Sequence, residues 1–462
     1  MLFDFTLAEL AQQLGVDVPP QSCLTAKSAA EIVFRDVSTD TRSIKAGDLF
    51  VALKGANFNG NKFAAQALAS GAAAVLLDEA PAEPLGGPYL LCENAQDAYG
   101  DIAGWQRDAF VGPVVAMTGS AGKTTTKQLM ASVLSEQFNT WMTQGNLNNH
   151  IGAPKTLLAL TPEHTAAVVE LGASGLQEIA YTAKWVKPAV GIITNASEAH
   201  LEGFGSLQGI VQTKGELIDF TSDAGTVVLN ADDAAFDTWR QRAGDRRVVS
   251  FGFSDSADVS ARDIELSVAG SRFVLIDRHT SFNQSVRLAF PGKHNIANAL
   301  AVYAAARAVG MDSESIVAGL QAATPVSGRM KTVAGPRGIT VLDDSYNANP
   351  ASIRAAIDVL SLAADSWLVL GDMAELGEEA GTAHSDLGRY AKQQGIGHLL
   401  ATGELSKRTV ASFGDNGLWL ADRDAVADYI KQQAPDHAVV LVKGSRSAGM
   451  EQVVRALDIA GE

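Results

Sequence analysis

The sequence predicts an α/β protein of three domains. With 462 residues, the chain is about three times as long as a usual domain of roughly 150 residues. Apolar strand-like runs alternate with helical segments from residue 109 to residue 322, a pattern that is typical of a largely parallel sheet. The same alternation returns after the Pro- and Gly-containing stretch "ATPVSGRMK". We therefore predict an N-terminal domain at residues 1–108, a central domain at 109–322 and a C-terminal domain at 323–462.

Composition and charge argue against several classes of protein. Apolar residues make up 47% of the chain and charged residues 19%, as in ordinary globular proteins. The net charge of −16 repels polyanions, so nucleic acid is not an expected partner. We find no run long enough to span a membrane and no signal-peptide pattern at the N-terminus. Cys23 and Cys92 form neither a zinc motif nor a disulfide framework, and we expect a cytoplasmic protein.

The elements of the three domains follow from local patterns. In the N-terminal domain, strand-like "DLFVAL", "AAAVLLD" and "PYLLCEN" accompany the helical "KFAAQALASGA". The central domain has the strands "PVVAMTG", "AAVVELGA", "AVGIITNA" and "GTVVLNAD", with helices such as "TTTKQLMASVLSEQ" between them. Alternating polarity from Val248 to Leu288 predicts additional antiparallel strands. The C-terminal domain has the strands "ITVLDDSY", "SWLVLGDM", "HLLATG" and "AVVLVKGS".

A glycine-rich turn between a strand and a helix predicts a phosphate-binding loop. The apolar strand ends at Thr118, and Lys123 opens the following helix. Amide groups at such a helix start face an anion, the lysine reaches terminal phosphates, and Thr124 can bind Mg²⁺. Only two residues, instead of the usual four, separate the first glycine from the Gly-Lys pair. The alternative is a Gly-rich turn beside a surface lysine. The predicted loop comprises Gly119, Ser120, Ala121, Gly122, Lys123, Thr124 and Thr125.

Three further residues of the central domain are candidates for chemistry. Glu170 ends the apolar run "AAVVE" and would complete a metal site beside the loop, although alone it could be a cap or a surface residue. His200 follows another strand in "GIITNASEAHLEGFGS", where a satisfied polar residue is the simpler reading of position alone. By position alone, Lys214 in "QTKGELID" is a solvated helix lysine.

Polar side chains also mark the second half of the chain. Asn295 and Asn298 stand near a helix start, where they could cap the helix or contact a purine. Arg329 could be a surface charge or a cation delivered to transferring phosphate. Polar clusters follow three C-terminal strands, which predicts a binding face at one rim of that sheet, although each could be turn chemistry alone. The first cluster contains Asp344, Tyr346, Asn347 and Asn349.

Nine motifs in order along the chain resemble those of the Mur ligases of peptidoglycan precursor synthesis. They are "TGSAGKTTTK", "GNLNNHIGAP", "VVELGAS", "TNASEAHLEGFGS", "TKGEL", "GKHNIANALA", "GRM", "DDSYNANP" and "LGDMAELG". The resemblance covers essentially the whole chain, and "DDSYNANP" with "GNLNNHIG" is more specific than the loop. That family uses a short Gly-x-x-Gly-Lys-Thr loop, which accounts for the count above. The members most similar to this chain add D-Ala-D-Ala to UDP-MurNAc-tripeptide.

The resemblance implies a role for each candidate residue. The loop would bind the phosphates of ATP, with Thr124 and Glu170 on one Mg²⁺. His200 would serve a second Mg²⁺ beside a carbamylated Lys214. The nucleotide would also meet Asn295, Arg329 and Asp344, and the nucleotide or the dipeptide would meet Asn347 and Asn349. Contacts to the UDP-linked substrate are implied for Thr41, Arg42, Asn146 and Asn148.

The resemblance also implies the domain roles and the reaction. The N-terminal domain would bind the UDP-sugar, the central domain would be the ATPase, and the C-terminal domain would be Rossmann-like. The reaction would form an amide through an acyl phosphate, and we expect a monomer. The family commonly has Asp-Gly-His where this chain has Asn59-Gly60-Asn61. Alternatives are another Mur ligase, a folylpolyglutamate synthase-type ligase, or a P-loop nucleotide switch without ligase chemistry.

Overall fold

The computed structural model describes residues 1–19, 28–55, 57–197 and 201–459. The chain forms two units. The first comprises Met1–Ala116, Phe138–Leu171 and Ala180–Pro188, and the second comprises Met117–Gln137, Gly172–Ile179 and Ala189–Glu462. The predicted α/β class is confirmed in both units. Among the described helices, none combines the length and the apolar character that a membrane span requires.

The N-terminal region is a small α/β layer. Its elements are β1 (Phe5–Thr6), α1 (Leu7–Leu14), β2 (Val33–Phe34), β3 (Val37–Ser38), β4 (Leu49–Val51), β5 (Lys54–Gly55), β6 (Phe58–Asn59), α2 (Ala64–Ala69), β7 (Ala74–Leu77), β8 (Tyr89–Leu91) and α3 (Ala95–Asp108). A parallel sheet has the order β3-β4-β7-β8. The predicted strands are β4, β7 and β8, and their apolar side chains pack on α2 in a core that includes Phe50, Ala67 and Val75.

The middle of the chain alternates strands and helices, as predicted. Its elements are β9 (Val114–Thr118), α4 (Lys123–Leu134), β10 (Thr140–Met142), α5 (Gly152–Leu158), β11 (Ala166–Glu170), α6 (Glu178–Val186), β12 (Val190–Ile193), α7 (Leu201–Phe204), α8 (Leu207–Phe220), β13 (Thr226–Asn230), α9 (Phe236–Ala243), β14 (Arg247–Gly252), β15 (Val259–Ser267), β16 (Gly270–Asp277), β17 (Phe282–Leu288), α10 (Lys293–Val309) and α11 (Ser313–Ala322).

The strand directions in this region correct one prediction. Within the first unit β10 and β11 are parallel, and within the second unit β12, β13, β14 and β15 are parallel in that order. Strands β15, β16 and β17 form an antiparallel meander. The prediction of antiparallel strands from Val248 onward is therefore wrong for β14. Helix α9 carries the chain back across the sheet before β14, so this strand runs parallel to β13.

The last third is a doubly wound layer. Its elements are β18 (Lys331–Ala334), β19 (Thr340–Asp344), α12 (Pro350–Leu360), β20 (Ser366–Leu370), α13 (Ala380–Gln393), β21 (His398–Ala401), α14 (Ser406–Phe413), β22 (Gly417–Trp419), α15 (Arg423–Gln433), β23 (Val439–Lys443) and α16 (Glu451–Leu457). The sheet order is β18-β19-β23-β20-β21-β22, and every pair except β18-β19 is parallel.

Both faces of this last sheet are covered by helices. Along β20, Leu368 and Leu370 face the core of α12, α13 and α14, whereas Trp367 and Val369 face the core of α15 and α16. Successive side chains of a strand point to opposite faces, so an unbroken apolar strand is the one that two helical layers can bury. Because β23 lies between β19 and β20, the polar segments that follow these three strands emerge at one rim.

Candidate functional site

The predicted phosphate loop connects β9 to α4 in the second unit. Gly122, at φ +83°, is the residue before the first turn of α4. A Cβ atom on it would lie 2.6 Å from Asn298 Oδ1. A Cβ atom on Gly119 would lie only 1.9 Å from Thr194 Oγ1. Neighbouring side chains therefore leave no room for a Cβ atom at either position. Glycine is needed at both, so the glycines of this loop are not there by chance.

The segment after β12 holds this loop in place. Asn195 accepts a hydrogen bond from Ala121 N through Oδ1 (3.0 Å), donates from Nδ2 to Ala121 O (3.1 Å), and accepts from Ser120 N through its carbonyl (3.0 Å). Thr194 Oγ1 also donates to Ala121 O (2.7 Å). Ser120 Oγ donates to Ser197 O (2.9 Å) and accepts from Ser197 N (3.0 Å). These bonds fix the peptide planes of the short loop on both sides.

Cationic side chains converge on the loop and the start of α4. Lys123 Nζ donates to Gly119 O at 2.6 Å, so its ammonium group lies over the loop. Arg329 Nη2 donates to Thr124 Oγ1 at 3.4 Å, and the guanidinium lies 4.2 Å from the centre of the Tyr346 ring. Arg329, in the segment after α11, therefore contacts the first turn of α4, and its delivery to a transferring phosphate stays a prediction. Two cationic side chains therefore lie beside the predicted phosphate loop.

Lys214 is buried in α8, which rules out the simple interpretation of a solvated helix lysine. The residue is 2% exposed, its Nζ donates to Ala173 O at 3.4 Å, and it lies 4.9 Å from the centre of the Phe204 ring. Burial, and to a smaller extent the nearby charge of Lys123, lower the pKa of Lys214 to about 7. A large fraction of this amine is therefore neutral at neutral pH, unlike an ordinary lysine.

Asn295 and Asn298 lie inside α10 and do not cap it. The N-cap position is Gly292, and both asparagines are buried. Asn295 Nδ2 donates to Pro291 O (2.8 Å), and its Oδ1 accepts from Asn298 Nδ2 (3.1 Å). Because Asn298 Oδ1 stands beside Gly122, this amide pair connects the start of α10 to the loop. The capping interpretation is wrong, and the purine contact stays a prediction.

The predicted rim of the last sheet contains an ion pair. Asp344 ends β19 and Lys443 ends β23, and their backbones are direct partners in the parallel ladder. Lys443 Nζ donates to Asp344 Oδ2 at 2.6 Å and to Asn347 O at 2.9 Å. Asn349 caps α12, because its Oδ1 accepts from Ser352 N at 2.8 Å. Asn349 therefore has a structural role as the N-cap of α12.

Glu170 and its partners belong to the first unit. Glu170 ends β11, is 1% exposed and receives a hydrogen bond from Asn148 Nδ2 at Oε1 (2.8 Å). Thr143 Oγ1 accepts from Glu170 N (3.0 Å). Asn148 N donates to the carbonyl of Asn146 (2.8 Å). The motif "GNLNNHIG" therefore supplies an amide that orients the predicted metal-binding carboxylate.

The predicted uridine segment is at the surface of the first unit. Arg42 is exposed, and its guanidinium forms a two-point contact with Asp40, with Nη2 2.7 Å from Oδ2 and Nε 2.9 Å from Oδ1. The Arg42 side chain lowers the pKa of Asp40 to about 2. Thr41, between the two, is partly exposed. Both predicted residues are accessible to a ligand.

Asn59-Gly60-Asn61, which stands where the family commonly has Asp-Gly-His, makes hydrogen bonds within the protein. Asn59 Nδ2 donates to Glu79 Oε2 (2.9 Å) and Asn61 Nδ2 donates to Asp78 Oδ1 (2.7 Å). Lys54 Nζ lies 3.0 Å from Asp78 Oδ1 and 2.9 Å from Glu79 Oε1. These amides therefore belong to a charged network at the end of β7. Gly60 is required there, because a Cβ atom would lie 2.4 Å from Leu53 O.

One predicted residue has no described position, and two residues that contact predicted ones were not themselves predicted. His200 lies outside the described residues. In the part of the chain that the structure describes, no group of three or more His, Cys, Asp or Glu side chains could hold a metal ion. The predicted site residues omitted Asn195 and Lys443, which contact the loop and Asp344 respectively. Tyr346, which contacts Arg329, belongs to the polar cluster predicted from the sequence. The sequence could have indicated Lys443, because it places a charged residue at the end of the apolar run "AVVLVK".

Comparison with known proteins gives concordant results over nearly the whole chain. Family models match at residues 34–98 (Mur ligase family, catalytic domain), 117–306 (Mur ligase middle domain) and 328–446 (Mur ligase, glutamate ligase domain). The chain is 41% identical over 436 residues to the UDP-N-acetylmuramoyl-tripeptide--D-alanyl-D-alanine ligase of Escherichia coli (strain K12), covering 94% of this chain and 95% of that protein.

Solved structures agree. A crystal structure of MurF from Acinetobacter baumannii is 33% identical with a TM-score of 0.90, covering 98% of both chains. The MurF ligase from Thermotoga maritima, in complex with ADP, is 26% identical with a TM-score of 0.82, covering 92% of this chain and 97% of that chain. The three-domain α/β architecture is that of these proteins. On these similarities and on the phosphate loop described above, the chain belongs to the Mur ligase family.

Proposed function

We propose that this chain is an ATP-dependent ligase that joins D-Ala-D-Ala to UDP-MurNAc-tripeptide in peptidoglycan precursor synthesis. The observation that carries the proposal is the convergence of Lys123 and Arg329 on a protein-held phosphate loop. We infer the substrates from the relative in Escherichia coli, which is named for this activity and whose similarity extends over more than nine-tenths of this chain.

The reaction needs an activated carboxylate. The γ-phosphoryl group of ATP passes to an oxygen of the terminal tripeptide carboxylate, giving ADP and an acyl phosphate. The amine of D-Ala-D-Ala attacks the acyl carbon, the tetrahedral intermediate expels phosphate, and the amine loses one proton as the amide forms. Lys123 and Arg329 neutralise the charge that moves between phosphate oxygens, and in a site that excludes water such preorganised charges contribute most.

The residues that would hold Mg²⁺ have suitable chemistry. Mg²⁺ favours oxygen ligands and usually keeps waters and substrate phosphates, so one or two protein ligands per ion suffice. Thr124 offers a hydroxyl and Glu170 a buried carboxylate that Asn148 orients. His200 and a carbamylated Lys214 would serve a second ion. When bound, Mg²⁺ would offset the negative charge of the phosphate groups.

The remaining roles follow the same family resemblance. Asn295 lies by the adenine, and Asp344 contacts the nucleotide. Asn347 and Asn349 serve the nucleotide or dipeptide side, and Asn349 does so from its position at the start of α12. The UDP-linked substrate meets its protein contacts in the first unit. These contacts are Thr41, Arg42, Asn146 and Asn148.

The assignment of domains and cellular setting extends the proposal. The UDP-sugar domain spans residues 1–108, the ATPase domain 109–322 and the Rossmann-like domain 323–462. A monomer in the cytoplasm suits a protein whose substrates are small nucleotide-linked precursors. Gel filtration coupled to light scattering tests the oligomeric state, because a mass of twice 48.3 kDa would contradict the monomer.

One assay tests the proposed function directly. Purified protein is incubated with ATP, Mg²⁺, UDP-MurNAc-tripeptide and D-Ala-D-Ala, and both phosphate release and pentapeptide product are measured. We expect equal amounts of phosphate and product, with neither formed when the dipeptide is omitted. Phosphate without product would favour a nucleotide switch. Ligation of glutamate to folate, in a parallel reaction that contains both with ATP, would favour the folate enzymes. Parallel reactions with lysine and diaminopimelate tripeptides identify the third residue.

Replacing Lys214 by alanine is expected to lower the ligation rate by roughly a hundredfold, because a group oriented in the metal environment is lost. Carbamylation requires the neutral amine, which the lowered pKa provides near neutral pH. We therefore expect short-chain carboxylates such as formate or acetate to restore part of the Lys214→Ala activity. The Lys214→Arg variant keeps a cation and serves as the matched control, which should stay inactive with or without carboxylate. Activity of Lys214→Ala that is low and not rescued would count against carbamylation.

A further inference from the structure

A buried lysine at the rim of the last sheet has no role in the reaction described above. The side chain of Lys443 is 3% exposed, and that of its partner Asp344 is 12% exposed. Ionised side chains are seldom buried this deeply unless they are paired, because desolvation disfavours the charged form. A buried ion pair is weak evidence of a stabilising role, since an apolar pair of similar volume often stabilises a fold equally well. Its position next to two candidate binding residues therefore calls for a functional explanation.

The contacts of Lys443 connect the start and the interior of one segment. The segment is residues 344–349, which begins at the last residue of β19 and which we name the β19 segment. Lys443 Nζ lies 2.6 Å from Asp344 Oδ2 and 3.5 Å from the carbonyl oxygen of the same residue. It also donates to Asn347 O at 2.9 Å. One ammonium group therefore fixes both the carboxylate of Asp344 and the backbone three residues later.

The base of Lys443 is itself held firmly. Its backbone pairs with Asp344 on one side and with Leu370 on the other. Its carbonyl accepts from Gly371 N at 2.9 Å, at the point where β20 ends. The ammonium group therefore projects from the central strand of three, where side chain and backbone have little freedom. A fixed cation of this kind can set the geometry of a neighbouring segment.

The hydrogen-bond capacity of Lys443 is used within the protein. An ammonium group has three donors, and the three oxygens above accept from them. Lys443 is therefore not a group that touches a substrate. Asp344 differs, because among the described residues no hydrogen bond reaches its Oδ1. That second oxygen is available to a ligand while the first is held by Lys443.

We propose that Lys443 is a positioning residue that sets Asp344 for the nucleotide and the β19 segment for the incoming dipeptide at the same time. The inference rests on the proposed function, which places the nucleotide at Asp344 and the nucleotide or dipeptide at Asn347. Because one cation holds both places, losing it weakens both binding events. A lysine that only stabilised the fold would leave the binding constants of the folded protein unchanged.

The test compares the wild type with Lys443→Met and Lys443→Gln. Binding of ADP alone is measured by calorimetry, and the KM for D-Ala-D-Ala is measured in the ligase assay. We expect the Kd for ADP and the KM for the dipeptide each to rise at least about tenfold, since a hydrogen-bonded charge is removed. Lys443→Gln keeps a hydrogen-bond donor on a side chain one atom shorter, so it remains informative if Lys443→Met fails to fold.

A core variant of the same domain provides the control. Val453→Ala empties part of the packed core of α15 and α16, and it should lower the unfolding temperature without changing either constant. If both constants of folded Lys443→Gln stay within about twofold of wild type, the proposal is overturned. A change in only one constant also overturns it, because the joint role is then absent. If the wild type makes no pentapeptide product, the proposed function fails, while the Kd for ADP still decides whether Lys443 positions Asp344.

Discussion

Replacing Lys123 by alanine is expected to reduce ATP-dependent product formation by at least roughly a thousandfold, the scale of cationic stabilisation in phosphoryl transfer. The ammonium group lies over the loop, 2.6 Å from Gly119 O, where the phosphates would meet it. Without this ammonium group, one fewer fixed cation stabilises the negative charge that moves between the phosphate oxygens during transfer. Initial rates of phosphate and pentapeptide formation at saturating ATP measure the loss, and circular dichroism measures the fold.

The matched control for this variant is Lys431→Ala. Lys431 is an exposed lysine of α15, and its loss removes the same charge from the chain far from the loop in sequence. We expect wild-type rates from it. Near-normal turnover by a folded Lys123→Ala protein would sink the phosphate-loop assignment, because no other loop residue carries a cation.

Replacing Gly119 by alanine is the second change expected to have a large effect. The new Cβ would stand 1.9 Å from Thr194 Oγ1, so that side chain or the loop must move. Movement of Thr194 breaks its hydrogen bond to Ala121 O, and movement of the loop displaces the amides that face the phosphates. Strain of this kind costs about 1–3 kcal/mol of folding stability. We expect the KM for ATP to rise at least about tenfold, since misplacement by 1 Å is enough to disrupt a positioned site.

A second glycine separates the steric effect from backbone strain. Gly310 ends α10 at φ +102°, and a Cβ atom there would have nothing within 4 Å. Gly310→Ala should therefore lose about 1 kcal/mol of stability and keep its KM for ATP. Thermal unfolding and ATP-dependent rates are measured for both variants. An unchanged KM in Gly119→Ala would mean that the contact with Thr194 does not shape the loop.

Much of the fold follows from patterns that operate along the chain. The long apolar strands were predicted because burial on both faces leaves an uninterrupted apolar run. Strands β10, β18 and β22 were not predicted, since each has only three or four residues and little apolar signal. The direction of β14 was wrong for a different reason. Alternating polarity shows that a strand has one buried face, but it does not report which way the neighbouring strand runs.

The site was harder to predict where contacts join distant residues. The loop could be located because its glycines, lysine and threonines are adjacent in sequence. The burial of Lys214 could not, because a lysine in a helix is ordinarily solvated and only packing against Ala173 and Phe204 changes its environment. Lys443 and Asp344 are 99 positions apart, and only the order of the strands brings them together.

The hydrogen bonds between Asn195 and the phosphate loop also determine when the loop loses its freedom. Fixing the backbone of one residue costs roughly 1–2 kcal/mol of conformational entropy. Because Thr194, Asn195 and Ser197 hold the loop through bonds within the protein, that entropy is lost when the chain folds and not when a nucleotide arrives. Contacts between the loop and phosphate then contribute to the binding free energy, and little of it is offset by the entropy cost of ordering the loop. The hydrogen bonds from Thr194, Asn195 and Ser197 therefore make the loop a preorganised anion receptor, at some expense of folding stability.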